Sequence, residues 1–448
     1  MARPIERLRE SASLRLTTAI LLASVAIFVQ ADVPDVTKPL TLEDCITIGL
    51  ANASSIKTAE LDVQLSDLRV KDAKSAYLPS INTQGRYSFD DRVDFGFKRD
   101  NYNLDVTADY LLWDQGRRRI ALEQQRYDRD ASASRLERSK QQLVFRIVQA
   151  YYRLLEAEKL LALDDELLAS SRNNAARVRA QFELEKAIEA DVAAAEVRVA
   201  NDELNRLNDE NAVNIARANL PTVLGLDPAT PIEIEDDPTF ERYRESSEIE
   251  RYDKTLEATV ALALQQRPDV VESALSLRVL ELSRKQSQLD RYPRLSAQGN
   301  FSARVDDYLA ERDDFGKYRS WSAAATVSFP IFDGGERKRA VERADLQLER
   351  VRQQDAELRR NVALEVRQEY LSLIEAERRL AISAAQVRNA RLSLDVTAAR
   401  FEEELAFLLE LLEAQAQYGQ ATTNQIRAFY DYKIAQRALQ NAIGTPIK

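Results

Sequence analysis

The sequence predicts an α+β chain built from two copies of one unit, mostly long α-helices, with four amphipathic strands too few to close a barrel alone. Three observations carry this reading: residue pairs recur at a fixed offset, four stretches alternate apolar with polar residues, and two very long stretches place apolar residues at heptad spacing.

The chain begins with a stretch that reads as a secretory signal. Arg3, Arg7, Arg9 and Arg15 precede or open a largely apolar run from Leu16 to Val29, and Val29-Gln30-Ala31 offers small residues at the cleavage positions, so residues 1–31 are expected to be removed after Ala31. The run is 14 residues long, short of the roughly 20 a spanning helix needs. No later stretch is long and apolar enough to span as a helix.

Composition excludes several function classes. Eleven glycines among 448 residues is a low count, so most of the chain is expected to be helical, where glycine is costly. There is no histidine, which removes His-based triads and zinc sites, and Cys45 is the single cysteine, which removes an intrachain disulfide and any C-x-x-C motif. No catalytic constellation or nucleotide motif stands out, so the chain is not expected to be an enzyme, and neither a metal nor a cofactor is implied. The net charge is −10, and −12 without residues 1–31; an acidic surface repels phosphate backbones, so nucleic acid is not expected as a partner.

The repeat sets the domain organisation. Leu42-Glu43 returns as Leu256-Glu257, Tyr77-Leu78-Pro79 as Arg291-Tyr292-Pro293, and Gly85 as Gly299, all at an offset of 214. Beyond the next segment the offset is 219: Asp114-Gln115-Gly116 pairs with Asp333-Gly334-Gly335, Tyr151 with Tyr370, Phe182 with Phe401 and Gly225 with Gly444. The units are residues 32–225 and 256–448, joined by a Pro-, Asp- and Glu-rich connection over 226–255. Each is expected to run helix, strand pair, long helix, helix.

The strand pairs lie at 80–113 and 294–332. Ile81, Thr83, Gly85, Tyr87 and Phe89 alternate with polar neighbours, as do Tyr102, Leu104, Val106, Ala108 and Tyr110; Leu295 to Val305 and Trp321 to Phe329 repeat the pattern. This alternation suits a membrane barrel with a polar lumen, and also an ordinary half-exposed sheet packed on helices. Strands of about ten residues and end-placed aromatics (Trp113, Phe332, Tyr292) favour the barrel. Four strands cannot enclose a lumen, and open edges are not tolerated in lipid, so several chains must pool their strands.

The stretches 117–184 and 336–403 carry apolar residues every seven positions, from Ile147 to Phe182 and from Val366 to Phe401. At about 1.5 Å per residue each helix would be on the order of 100 Å long. The shorter helices near 42–76 and 187–220 together match one long helix, so two short ones stacked end to end fit beside each long one. Asp333 is placed to cap the second long helix, with Glu336 three residues on.

With these residues in view, the mature chain resembles the TolC-like outer membrane efflux protein family. The resemblance rests on Leu40-Thr41-Leu42-Glu43, the Tyr77-Leu78-Pro79 corner, Val327-Ser328-Phe329-Pro330-Ile331-Phe332-Asp333-Gly334-Gly335, Ala150-Tyr151 with Glu369-Tyr370, and Ala442-Ile443-Gly444. It implies a homotrimer with a 12-stranded barrel in outer-membrane lipid, continued by a periplasmic α-barrel. That duct would meet a periplasmic adaptor (membrane fusion) protein and an inner-membrane transporter, serving drug efflux, metal export or type I secretion. The connection over 226–255 would be equatorial.

The resemblance also points to site residues. In the family each hairpin tip turns at a glycine three residues after an aromatic; here Glu185 and Glu404 stand at those positions, and a helix continuing through either is the alternative. The tips, Glu185 and Lys186 with Glu404, Leu405, Ala406 and Phe407, would contact the adaptor, although internal packing explains the apolar run Leu405–Leu409 equally well. Glu410 and Glu413 resemble the family's entrance carboxylates, where the first copy has Asp191 and Ala194 instead, while Phe401 and Ala406 replace a tyrosine and an arginine that serve as closing links. Spaced i, i+3, the two glutamates share a helix face and would ring the aperture with negative charge. The rival reading is a periplasmic or surface coiled-coil scaffold without a pore.

Overall fold

A computed structural model describes residues 38–92, 97–246, 251–306, 319–403 and 405–445; the expected signal at 1–31 lies outside them. The first copy comprises α1 (Leu42–Asn52), α2 (Ser54–Ser75), β1 (Ser80–Arg92), β2 (Phe97–Trp113), α3 (Arg117–Glu183) and α4 (Glu189–Leu224). After α5 (Pro238–Ser246), the second copy repeats the order as α6 (Leu256–Gln266), α7 (Pro268–Leu289), β3 (Arg294–Asp306), β4 (Arg319–Ser328), α8 (Glu336–Glu402) and α9 (Leu408–Ile443).

The repeat therefore has one helix more than its sequence suggests, because the opening helix is broken. Thr41 caps α1 through a reciprocal bond pair with Asp44, and the chain then leaves helical geometry at Ala53, whose φ/ψ is −59/125. Gly225, at the end of α4 with φ +79, packs so tightly there that a Cβ would meet the Ala53 backbone at 3.0 Å. The second copy breaks at Arg267, ahead of Pro268, and Gly444 closes on it in the same way, leaving a Cβ only 2.8 Å from Arg267 Cα. The ends of α4 and α9 thus abut the starts of α2 and α7, and the stacked pairs run beside α3 and α8, each 67 residues. Heptad residues Ile147, Leu154, Leu168, Val366, Leu373 and Leu380 are buried in this packing.

The corner motif is also duplicated. Asp114 accepts from the N–H groups of Gly116 and Arg118, and Asp333 from those of Gly335 and Arg337, at 2.8–3.1 Å. The return partner is arginine, not the expected Glu336: Arg118 Nε reaches Asp114 at 3.1 Å and Arg337 Nε reaches Asp333 at 2.5 Å. Held by Arg337 and these amides, the Asp333 carboxyl is pulled down to about 2.

The strands form one antiparallel sheet in the order β1-β2-β3-β4. Register places apolar residues opposite one another: Ile81, Ala108, Gly299 and Ala323 form one row, Thr83, Val106, Phe301 and Trp321 the next. The intervening rows are polar, including Gln84, Asp105, Ser302 and Ser320, with a 2.7 Å bond from Ser302 Oγ to Asp105. β4 ends at Ser328, ahead of Phe329-Pro330, so the second pair closes short of residue 332. No helix among the described residues shelters the apolar face: Trp321 is 82% exposed and Ile81 70%. This removes the half-exposed soluble sheet as an explanation. Among the described residues no helix is long and apolar enough to cross a membrane.

The connection carries α5, which its charged composition hid. Phe240 and Tyr243 are buried against Phe429 and Tyr430 of α9, and the Tyr243 hydroxyl donates to the Leu380 carbonyl at 2.9 Å. Tyr151 donates to the Glu235 carbonyl, and Lys159 pairs with Asp236 at 2.7 Å. Cys45 is fully buried nearby in the same core, and burial pushes its thiol up to about 12, so it is inert.

Candidate functional site at the helical hairpin tips

Both hairpins turn although neither tip carries a glycine. α3 ends at Glu183; Lys186 N–H then donates to the Gln181 carbonyl at 2.8 Å and Glu185 N–H to that of Phe182 at 2.9 Å. This bond pair is a Schellman turn, whose C′ residue must be left-handed, and Glu185 takes that conformation with φ +58 despite its Cβ. A helix running through residue 185 is thereby ruled out. The second hairpin repeats the outer bond, Leu405 N–H to the Arg400 carbonyl at 2.7 Å. Glu404 itself lies outside the described residues.

The two tips share a small apolar core. Val178 of α3, Ala195 of α4 and Leu408 of α9 are buried together, with Ala187, Val192, Phe401 and Leu412 against them. The apolar run at the second tip is accordingly divided in use: Leu408 packs inward, whereas Leu405, Phe407 and Leu409 are 63–78% exposed. A cleft of about 310 Å³ beside this core is lined by Lys186, Asp191, Phe401, Ala406 and Phe407 among others. Asp191 and Phe401 therefore do meet at one cleft, and no hydroxyl on residue 401 is available to bind the carboxylate.

The carboxylates differ in their commitments. Asp191 accepts from Ile188 N–H at 3.2 Å and so serves the start of α4. Glu410 stands 4.0 Å from Arg400, a loose and exposed pair. Glu413, one turn on, is exposed and has no partner among the described residues. Two cationic clasps escaped the sequence reading: Arg400 also donates to the Leu405 carbonyl at 3.1 Å, and Arg177 reaches Glu402 at 3.7 Å, linking the two hairpins. Neither has a local sequence signal, because each partner is fixed only by the turn or by the neighbouring helix.

Known proteins share this arrangement. The family model described as outer membrane efflux protein matches residues 46–226 and 259–445, skipping the connection that carries α5. Protein CyaE of Bordetella pertussis is 25% identical over 415 residues, 89% of this chain and 82% of that one. The outer membrane efflux protein BepC of Brucella suis is 22% identical over 429 residues, 95% and 89% of the two chains. Among solved structures, the outer membrane protein VceC from Vibrio cholerae superposes with a TM-score of 0.76 at 14% identity, covering 91% of this chain and 97% of its own. Matched over both copies, with its open-edged strands at one end and its paired hairpins at the other, the chain belongs to the outer membrane efflux protein family and is a channel subunit of the outer membrane.

Proposed function

We propose that three copies of this chain form a passive duct, a 12-stranded barrel continued by an α-barrel, which completes a tripartite efflux or type I secretion system. The observation that carries the assembly is the sheet: two edges that no described strand pairs, and an apolar face that the described helices leave bare. Because the strand count is even, β4 of one copy can pair antiparallel with β1 of the next, a head-to-tail contact that closes into a ring. The helices support the same polarity. Leu61, Leu65, Leu204 and Leu207 are exposed on α2 and α4, and Leu364, Leu371 and Leu392 on α8, so the two copies present apolar seams to neighbours.

In this reading residues 1–31 direct export and 226–255 form the equatorial connection. Glu185, Lys186, Glu404, Leu405, Ala406 and Phe407 meet a periplasmic adaptor, which couples the duct to an inner-membrane transporter. The exposed Leu405 and Phe407 support the docking role. Glu410 and Glu413 of α9, and Asp191 of α4, are read as the entrance carboxylates. The deciding experiment is to purify the mature protein from outer membranes and record single channels from the detergent-solubilised oligomer. A trimer with stable conductance is expected; a detergent-free monomer without conductance would leave the pore-free scaffold as the better reading.

A further inference from the structure

The charge of this acidic chain is strongly polarised. The four stretches that join sheet to helices, 75–80, 113–119, 289–294 and 332–339, hold eight basic and four acidic residues, although the chain as a whole is at −10. The tip stretches, 183–191 and 400–413, hold nine acidic and two basic. The basic cluster is therefore a local feature and not a reflection of composition.

Its four acids are mostly spent on its own arginines. Asp114 holds Arg118 at 3.1 Å, Asp290 holds Arg117 and Arg294 at 3.3 and 3.0 Å, and Asp333 holds Arg337. Arg119, Arg291, Lys338 and Arg339 are exposed and have no carboxylate partner among the described residues. Arg291, Arg337 and Lys338 line an open groove of about 680 Å³ between the end of α7 and the start of α8. Two of the groove's acids, Asp333 and Asp345, are already paired to Arg337 and Arg284, which leaves Glu342 against the unpaired cations.

The cations sit directly beside an aromatic belt. Tyr77, Trp113, Tyr292 and Phe332 are 40–89% exposed at the strand ends, and the Arg118 guanidinium lies 5.0 Å over the Tyr77 ring. Aromatics of this kind occupy the headgroup level of a bilayer, so cations one helical turn farther from the sheet face the phosphates of the leaflet on the helix side. Water would satisfy them too, but water does not account for a net basic excess at this level of a chain that is acidic as a whole.

We infer that Arg119, Arg291, Lys338 and Arg339 form a collar that binds the anionic headgroups of phospholipids in the periplasmic leaflet. The inference rests on the outer-membrane channel reading and adds the lipid class, the leaflet and the residues. Each cation near an anionic surface strengthens attraction by about fivefold, so the collar selects charged over zwitterionic lipid.

The test uses the full-length mature oligomer, extracted into mild detergent and offered equal amounts of phosphatidylglycerol and phosphatidylethanolamine, with retained lipid counted by native mass spectrometry. Several-fold enrichment of phosphatidylglycerol is expected for the wild type, falling towards parity in the quadruple variant R119Q/R291Q/K338Q/R339Q. Equal retention by the wild type overturns the inference, as does unchanged enrichment in the variant. Enrichment erased by millimolar inorganic phosphate would assign the site to free phosphate and overturn it too. Conductance in bilayers of phosphatidylethanolamine alone, expected for both proteins, separates this result from failure of the channel reading.

Discussion

Arg267 donates from Nη1 to the main-chain carbonyl of Ala442 across 3.1 Å, tying the start of α7 to the last turn of α9. Its other nitrogens reach Glu365 at 2.6 Å and Asp269 at 3.0 Å, and the side chain is 7% exposed. Arg138 and Gln141 serve the same helix end, donating to the carbonyls of Asn441 and Gly444. A cation here neutralises the negative helix terminus and satisfies carbonyls that burial hides from water. Arg267→Met keeps the volume and removes both effects, and is expected to cost about 2 kcal/mol. A thermal unfolding midpoint equal to that of the wild type would show the joint holds without it.

A second buried group gives a pH dependence. Asp164 of α3 is 9% exposed, with Oδ2 unpartnered, and burial, then the carboxylates of Asp209, Asp202 and Asp165, push its carboxyl from 3.8 up to about 7. The elements packed there offer little compensation: on α4, Arg198 and Arg206 are engaged by Asp202 and Asp165, and α9 has no charged residue between Glu413 and Arg427. The folded state therefore binds this proton more tightly than the unfolded chain. Stability should fall as pH rises from about 4 to 7 and level off above. Asp164→Asn should remove that slope and stabilise the protein at pH 8 by on the order of 2 kcal/mol. Identical slopes for variant and wild type between pH 5 and 8 would exclude Asp164 as their source.

Glu185 in the left-handed region carries a strain of about 1 kcal/mol that glycine would not. Glu185→Gly should therefore tighten the first tip, slowing hydrogen exchange at the Lys186 amide, which is bonded to the Gln181 carbonyl. Faster or unchanged exchange would mean that the glutamate side chain contributes more than its conformation costs.

How much of the fold and the tips was legible in the sequence depends on where each signal resides. The long helices end at Glu183 and Glu402, one residue from where the heptads place them, because a 3.5-residue period is a strong local signal. The four strands were equally plain, since a period of two sorts every side chain to one face. The break at Ala53 was not, because it is imposed by the approach of Gly225, remote in sequence; its counterpart at Arg267 had Pro268 to announce it. Helix α5 was masked because only Phe240 and Tyr243 mark its buried face in a charged segment. At the tips, the acids were visible as residues, but the clasp of Arg400 on Leu405 and Glu410 depends on a turn that no residue there advertises.

The sheet faces make opposite demands on the same substitution. Val106 lies in the apolar row between Thr83 and Phe301, and Thr107 in the polar row between Asn82 and Asn300. Arginine on a lipid face near the bilayer midplane costs about 2–4 kcal/mol, and far less in a wet lumen. Val106→Arg should thus sharply reduce heat-resistant oligomer in outer membranes, while Thr107→Arg should leave the yield near normal and alter conductance. Equal yields from the two variants would contradict the assignment of faces.

The carboxylates proposed for the entrance, Glu410 and Glu413, can be tested by removing their charge. Glu410 and Glu413 lie one turn apart at the start of α9, and among the described residues their one restraint is the 4.0 Å approach of Arg400 to Glu410. Exposed charges so weakly paired remain free to act on passing ions, and in the proposed trimer a ring of them would multiply their field at the entrance. Glu410→Gln with Glu413→Gln preserves shape and removes that charge. In planar bilayers the double variant should lose much of its preference for cations and resist block by multivalent cations, with the effect growing as salt is lowered because screening weakens. Arg400→Gln should act in the opposite direction by freeing Glu410, which distinguishes an electrostatic role at the mouth from a packing role at the tip. Selectivity and block unchanged in both variants would place the constriction elsewhere along the duct.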